Sequence, residues 1–568
     1  MAKKKSTKKP IKKTLPKKTQ KPVKKKAAPR KKIGVLLVAF GMILLVCVMA
    51  LLFHKLTPNS LSKVLPKEST IAFVEANISN SSQMENVQNL LGKYNYLENL
   101  KQMIGVDLAD ANFLSGTIGA GVIKTEAGQA SVAVFASVND KGNTIKFLSG
   151  QALSQKGDEF LCGELQGFEI CQYKLSYNFK FTFIKDYLVI SPSQDALLAL
   201  LKNKEKLSSN QNFVIARNNL PSRNLVFAYV DTENLLRSLF ENKDFVAKKG
   251  YELTAMIPFL QTFKSFAAVL IAQENKLAIQ SYTQIDKEKL GDASFITFDR
   301  KYKANLAKLV DKKPLAYFGG RNVKSQLEKI SKVLSNGEEA KEILFNGFIK
   351  AQVKKYLGET ISLEDDIYPL LEGEYAVSME GEKEIPEYKV IVELKNAKND
   401  EDMIRKLVKN FVEINAVFAP EVIEVELEDG TMSKEIVATE EEVEQAEEMY
   451  KGIKIVSLKL GEKSWGIHYA FVGDTVVFAS DTQSIIRSVD LWNNSQESFK
   501  ESYLYDALIR PLMLNSDEVA YIYFDILLDK LNIDLKENKK FFDPINVIAS
   551  GKNYFDDGVS TTHYIITK

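Results

Sequence analysis

Phe181-Thr-Phe-Ile-Lys-Asp-Tyr-Leu-Val-Ile-Ser191 and Tyr469-Ala-Phe-Val-Gly-Asp-Thr-Val-Val-Phe-Ala479 are one pattern written twice in the same chain. In each, alternating apolar residues flank a two-residue turn, Lys185-Asp186 or Gly473-Asp474. Period-2 alternation around such a turn predicts a β-hairpin with one buried face. Gly473 at the first turn position suits a type II′ turn. Each hairpin then runs into a helix through a capping box. Ser191-Pro192-x-Gln194 precedes Leu197, Leu198, Leu200 and Leu201, and Ser480-x-x-Gln483 precedes Ile485, Ile486 and Val489. Ser191 and Ser480 are therefore the expected helix caps.

The match extends outward from these hairpins. Gly167-Phe-Glu-Ile170 pairs with Gly452-Ile-Lys-Ile455 upstream, and Leu225-Val-Phe-Ala-Tyr-Val-Asp231 with Val519-Ala-Tyr-Ile-Tyr-Phe-Asp525 downstream. Both halves open on a short apolar strand after a proline, Ile71–Val74 after Pro66 and Leu315–Phe318 after Pro314. Both close on a long hairpin, around Phe266–Thr283 and Val547–Thr567. The sequence thus predicts two similar α+β domains, 57–290 and 303–568, with mainly antiparallel sheets and packed helices. Their opening β-α-β-β-α-β order resembles a ferredoxin-like arrangement. The second half carries a carboxylate-rich insertion over 421–450, which reads as a hairpin across Asp429-Gly430 followed by a helix capped by Thr439 and Glu442. Its Glu440-Glu441-Glu442 run lacks the spaced ligands and bend glycine of a calcium loop, so it is taken as a solvated helix face.

At the N-terminus, residues 1–32 hold fifteen Lys, one Arg and no Asp or Glu, and the following run from Ile33 to Phe53 has no charge. At about 1.5 Å per residue, that run matches a bilayer core of roughly 30 Å. We expect a disordered basic tail, then a single transmembrane helix over 33–53. By the positive-inside rule the tail stays in the cytoplasm and the C-terminal bulk is extracytoplasmic, on a cell membrane. The tail is too long and the apolar run too extended for a cleaved secretory signal. Cys47, preceded by Val46, reads as an apolar membrane residue and not as a lipidated one. Anionic lipid headgroups are the expected partner of the tail, which has no aromatic residue for stacking on bases.

The overall charge of +3 conceals a division, because the tail takes sixteen of the 76 basic residues and leaves 60 against 73 acidic ones. A net −13 over the remainder argues against nucleic acid as its partner. Two cysteines lie beyond the apolar run, Cys162 and Cys171, in GDEFLCGELQGFEICQYK. With Gln166-Gly167 as a hairpin turn they face each other as a non-hydrogen-bonded pair, about 4.5 Å apart at Cα. An oxidising compartment then permits a disulfide staple. The alternative is a pair of free thiols, and the register also opposes Glu164 to Glu169.

Chemistry is sparse. His468 and His563 sit in strand patterns away from any motif, and metal spacings, CxxC pairs and a nucleophile elbow are missing. Gly116-Thr-Ile-Gly119-Ala-Gly121 has the wrong spacing for a phosphate loop and reads as close strand packing. Asp231 and Asp525 each follow a strand and open a helix, so they are read as N-caps before they are read as catalytic carboxylates. No catalytic, cofactor-binding or metal-binding residue is assigned.

Together, the Leu65–Val74 opening, the strand-turn-strand-helix block over Phe179–Leu201 and the Leu220–Asp231 block resemble domain-of-unknown-function family 3352, whose members look like single-anchored exported bacterial proteins. The resemblance covers most of Ser60 to Lys568 and brings no catalytic residues. The expected function is a non-enzymatic binding or scaffolding module of the cell envelope, with an envelope protein or ligand as partner. The alternatives are an envelope enzyme using carboxylates in an inter-domain cleft, and a tether whose basic tail binds anionic lipid or nucleic acid.

Overall fold

The computed structural model describes residues 60–568 apart from 78–80, 93–113, 127, 157–159, 174–178, 242–260, 287–301, 329–338, 382–385, 416–418, 427–430, 440–442, 461–465, 495, 531–543 and 556. Ten strands of one sheet come from the first half. They are β1 (Thr70–Asn77), β2 (Leu114–Lys124), β3 (Ala130–Val138), β4 (Phe160–Leu165), β5 (Phe168–Tyr173), β6 (Lys180–Ile184), β7 (Tyr187–Ser191), β8 (Val226–Asp231), β9 (Phe263–Ala272) and β10 (Leu277–Ile285). The second half supplies β11 (Ala316–Arg321), β12 (Glu374–Glu380), β13 (Glu387–Glu393), β16 (Val443–Tyr450), β17 (Ile453–Leu460), β18 (Gly466–Val472), β19 (Thr475–Ala479), β20 (Glu518–Tyr523), β21 (Ile545–Phe555) and β22 (Gly558–Thr567). A separate two-stranded hairpin, β14 (Ala419–Glu426) with β15 (Met432–Thr439), stands outside this sheet.

Followed through its ladders, the first half runs β4-β5-β6-β7-β3-β2-β1-β8-β9-β10. The second runs β16-β17-β18-β19-β13-β12-β11-β20-β21-β22 in the matching order. Every pairing is antiparallel. The two series meet where β10 pairs with β22, from Leu277↔Ile565 to Gln284↔Gly558.

That join corrects the expected fold class. In place of two domains with a sheet each, the chain builds one continuous twenty-stranded antiparallel sheet. The outer strand of each closing hairpin would otherwise expose a row of unpaired N–H and C=O groups, and pairing the two satisfies both. The transmembrane helix of the same expectation is not supported either. Among the described residues no helix is long and apolar enough to cross a membrane. The two nineteen-residue helices, Glu339–Leu357 and Ala397–Asn415, are interrupted by Lys and Glu. Residues 1–32 and 33–53 lie outside the described ones.

The acidic insertion is corrected as well. After the β14–β15 hairpin the chain forms strand β16, not a helix, pairing from Val443↔Leu460 to Tyr450↔Ile453. Glu, Gln and Ala favour a helix in isolation. Here the open ladder of β17 offers eight residues of pairing and tertiary context overrides that preference.

Helices cover both sheet faces. We label α1 (Ser81–Leu91), α2 (Lys141–Lys156), α3 (Gln194–Lys202), α4 (Gln211–Asn218), α5 (Thr232–Glu241), α6 (Glu339–Leu357), α7 (Ala397–Asn415), α8 (Thr482–Trp492) and α9 (Phe524–Lys530). One core in the first half gathers Phe73, Phe135 and Tyr229 with Leu197 and Leu200 of α3. Its counterpart gathers Tyr317, Ile391 and Tyr521 with Ile485 and Val489 of α8.

Candidate functional site

The densest set of ionisable groups among the described residues lies inside the second half. Lys389, on β13, is fully buried; its Nζ stands 2.6 Å from Glu380 Oε2 and 3.6 Å from Asp311 Oδ1. The same ammonium donates to Leu309 O and to Ser488 Oγ, each at 3.2 Å. Ser378 Oγ donates to the other Glu380 oxygen at 2.6 Å. Arg487 of α8 continues the network, its Nε 3.1 Å from Asp311 Oδ2 and its Nη2 bonded to Glu387. Burial pushes the Glu380 carboxyl above its ordinary range, and the Lys389 ammonium pulls it partly back. The Nζ contacts of Lys389 thus all run to groups inside the protein: carboxylate, carbonyl and hydroxyl.

Counting from the two hairpin turns shows what the first half has in this place. Lys389 pairs with Ser378, and Glu380 lies two residues on. The equivalent ladder positions are Ala133, Gly121 and Ile123. The same sheet position is built once from ions and once from apolar residues, so the fold itself does not require the charges.

Two further carboxylates, Glu374 buried and Glu75 partly so, hold short 3₁₀ turns against the sheet. Glu374 Oε1 accepts the Leu306 N–H at 3.0 Å, at the start of Asn305–Leu309. Burial pushes this carboxyl up to about 7. In the first half Glu75 Oε2 accepts the Leu61 N–H at 2.7 Å, at the start of Leu61–Lys63, and burial pushes it to about 6.

The residues singled out from sequence are placed as follows. Cys162 and Cys171 pair across β4 and β5 and are joined by a disulfide, with Cα atoms 4.0 Å apart. The turn between them has positive φ at both Gln166 (55°) and Gly167 (82°), as a type I′ turn needs. Asp231 is buried and caps α5, its Oδ1 accepting the Asn234 N–H at 2.9 Å. Asp525 is the second residue of α9, two positions further into its helix than Asp231, whose place in the ladder is taken by Tyr523, so the two aspartates are not equivalent; the Asp525 side chain is not among those described. Neither serine caps its helix. The α3 cap is Ser193, accepting from Ala196 N, while Ser191 donates to Val132 O at 2.8 Å. The α8 cap is Asp481, accepting from Ser484 N, while Ser480 Oγ accepts the Tyr388 N–H. In both cases the strand extends its pairing further than the motif implies, and the helix starts later. His468 Nδ1 sits between Ser457 Oγ (2.8 Å) and Thr482 Oγ1 (3.1 Å). Cys162, Glu169 and Cys171 form a cluster of metal-ligand type among the described residues, but in the disulfide the two sulfurs are not thiolates.

What sequence reasoning missed is a surface. On the sheet face opposite the ion network, Phe318, Val377 and Val390 stand in one row across β11, β12 and β13. They are 40%, 37% and 37% exposed, and Tyr388 beside them is 55% exposed. The Phe318 ring lies 5.8 Å from that of Tyr375. The equivalent first-half row is Val74, Ala120 and Val134. There Val74 and Ala120 are buried in a cluster with Met84 and Val87 of α1. The second half has a larger side chain at two of the three positions, Phe318 for Val74 and Val377 for Ala120, and leaves the row open. Such a difference emerges only when the two halves are compared in register.

A family model described as "Protein of unknown function (DUF3352)" matches residues 61–413. The chain belongs to the DUF3352 family. The matched stretch takes in the strands of the first half, β11 to β13 with the open row, and most of α7. No curated protein matches the chain significantly. Among solved structures, crystal forms III, I and IV of TP0453 are similar to part of this DUF3352 chain at 10%, 11% and 9% identity. They cover 43%, 41% and 40% of this chain and 83%, 80% and 81% of their own, with TM-scores of 0.23, 0.23 and 0.22. A likeness this low carries no argument about the present chain.

The staple itself is testable. Replacing Cys162 and Cys171 by Ala is expected to cost about 2.5 kcal/mol by the loop-entropy relation for so short a loop. Unreduced peptide mass spectrometry should show the linked pair, and urea unfolding midpoints that do not move in the double variant would contradict the expected cost.

Proposed function

We propose that this protein is a non-enzymatic binding module working outside the cytoplasm, with the open apolar face over β11, β12 and β13 as its binding surface. The observation that carries this reading is the exposed row of Phe318, Val377 and Val390, set against the covered row that replaces it in the other half. Contiguous exposed apolar side chains mark binding surfaces more often than single ones do. The Cys162–Cys171 disulfide supports an oxidising compartment. The commitment of Lys389 to internal partners and of Asp231 to a helix cap supports binding over catalysis.

An environment-sensitive apolar dye tests the surface. The unmodified protein is expected to bind it at the open row, and Phe318→Glu with Val390→Glu to weaken binding at least about tenfold, given the apolar area lost. Leu514→Glu, on an exposed residue elsewhere, serves as the control. A photoreactive residue at position 377 should then crosslink the natural partner in cells. Dye binding unchanged in the double variant would end the assignment of this surface.

A further inference from the structure

Helix α6 turns an unusual arc toward solvent. At 100° per residue, Ile343, Phe348, Lys350, Ala351, Lys354 and Lys355 fall within an arc of roughly 160°, and all six are exposed. Ile343 and Phe348 are 63% and 61% exposed. No Asp or Glu falls on this arc by spacing. Its C-terminal end is held by the protein: Asn410 Nδ2 of α7 donates to Leu357 O at 3.0 Å, and the helix ends on Gly358 at φ 91°. Lys350 pairs with Glu364 at 2.7 Å. Lys355 lies over the Tyr356 ring at 4.9 Å, but neither it nor Lys354 has an ion-pair partner among the described residues, so the arc carries two positive charges that no carboxylate neutralises beside two large apolar side chains.

A helix face with two lysines that no carboxylate neutralises, set beside exposed apolar side chains, complements a surface that is anionic outside and apolar just beneath. From this charge complementarity we infer that α6 docks on anionic lipid, with Lys354 and Lys355 at the headgroups and Phe348 and Ile343 entering the acyl boundary. This surface is separate from the open row on β11 to β13, and neither reading depends on the other.

The test uses the full chain with Phe348→Trp and vesicles whose acyl chains carry bromine. With phosphatidylglycerol in the vesicles, emission from the introduced indole, above the background of Trp465 and Trp492, is expected to fall by about half on insertion at acyl depth. In pure phosphatidylcholine it should not change, and adding Lys354→Glu and Lys355→Glu should abolish the quenching. Tyr503→Trp, at a 73% exposed residue away from α6, is the reference position. Attachment through the N-terminal basic tract alone would leave both reporters unquenched. Quenching at position 348 no greater than at 503, or equal in both vesicle types, would overturn the proposal.

Discussion

Lys389→Met is expected to destabilise the protein by about 3–5 kcal/mol, and adding Glu380→Met should recover most of that loss. The single change strands Glu380, whose side chain is 1% exposed, beside Asp311 without its cation. A buried carboxylate in that position either remains charged at high cost or takes up a proton. Removing both partners leaves no uncompensated charge, and Met approximates the length of each lost side chain. The first half already demonstrates the apolar solution, with Ala133 and Ile123 fully buried at the equivalent positions. Urea unfolding midpoints of the two singles and the double give the coupling. If the double variant were as unstable as Lys389→Met alone, the ions would be needed for more than mutual neutralisation, and the comparison between halves would be misleading.

The second large effect is on pH dependence. Glu374 is 4% exposed, and its carboxyl is pushed from an ordinary 4.5 to about 7, mainly by burial. Between those values the folded protein binds more protons than the unfolded chain, so stability falls as pH rises. The contribution is fully present below about pH 4.5 and is lost by about pH 7, a change of about 3 kcal/mol. Glu75, pushed to about 6 and less buried, adds a smaller share of the same sign. Exposed carboxylates held below their ordinary range by lysine partners, such as Glu364 and Glu372, act in the opposite sense. The difference between wild type and Glu374→Gln is therefore the quantity to follow. Glutamine keeps an acceptor for the Leu306 N–H, so the variant should gain on wild type as pH is raised from 5 to 8. A pH-independent difference would show that Glu374 does not titrate in this range.

Local geometry was readable from local residues. The Lys185-Asp186 and Gly473-Asp474 hairpins pair as the alternation implies, Ile184↔Tyr187 and Val472↔Thr475, because strand period and turn chemistry are properties of neighbouring residues. The facing of Cys162 and Cys171 followed from counting back from Gln166-Gly167. Helix starts were placed less well. A capping box does not reveal how far the preceding strand continues to pair, and Ser191 and Ser480 proved to serve the strand side.

By itself, then, the sequence determined the two hairpins, the cysteine register and the repeated pattern, since each depends on contacts a few residues apart. Tertiary structure alone decided that β10 would pair with β22, that Val443–Tyr450 would become an edge strand, and that one half would bury ions where the other buries Ala and Ile. It also decided that Phe318, Val377 and Val390 would stand open while Val74 and Ala120 are covered. Those outcomes turn on partners hundreds of residues away, competing for ladder hydrogen bonds and apolar contact. Such competition is settled by which surfaces meet, and that information is not local to any stretch of the chain.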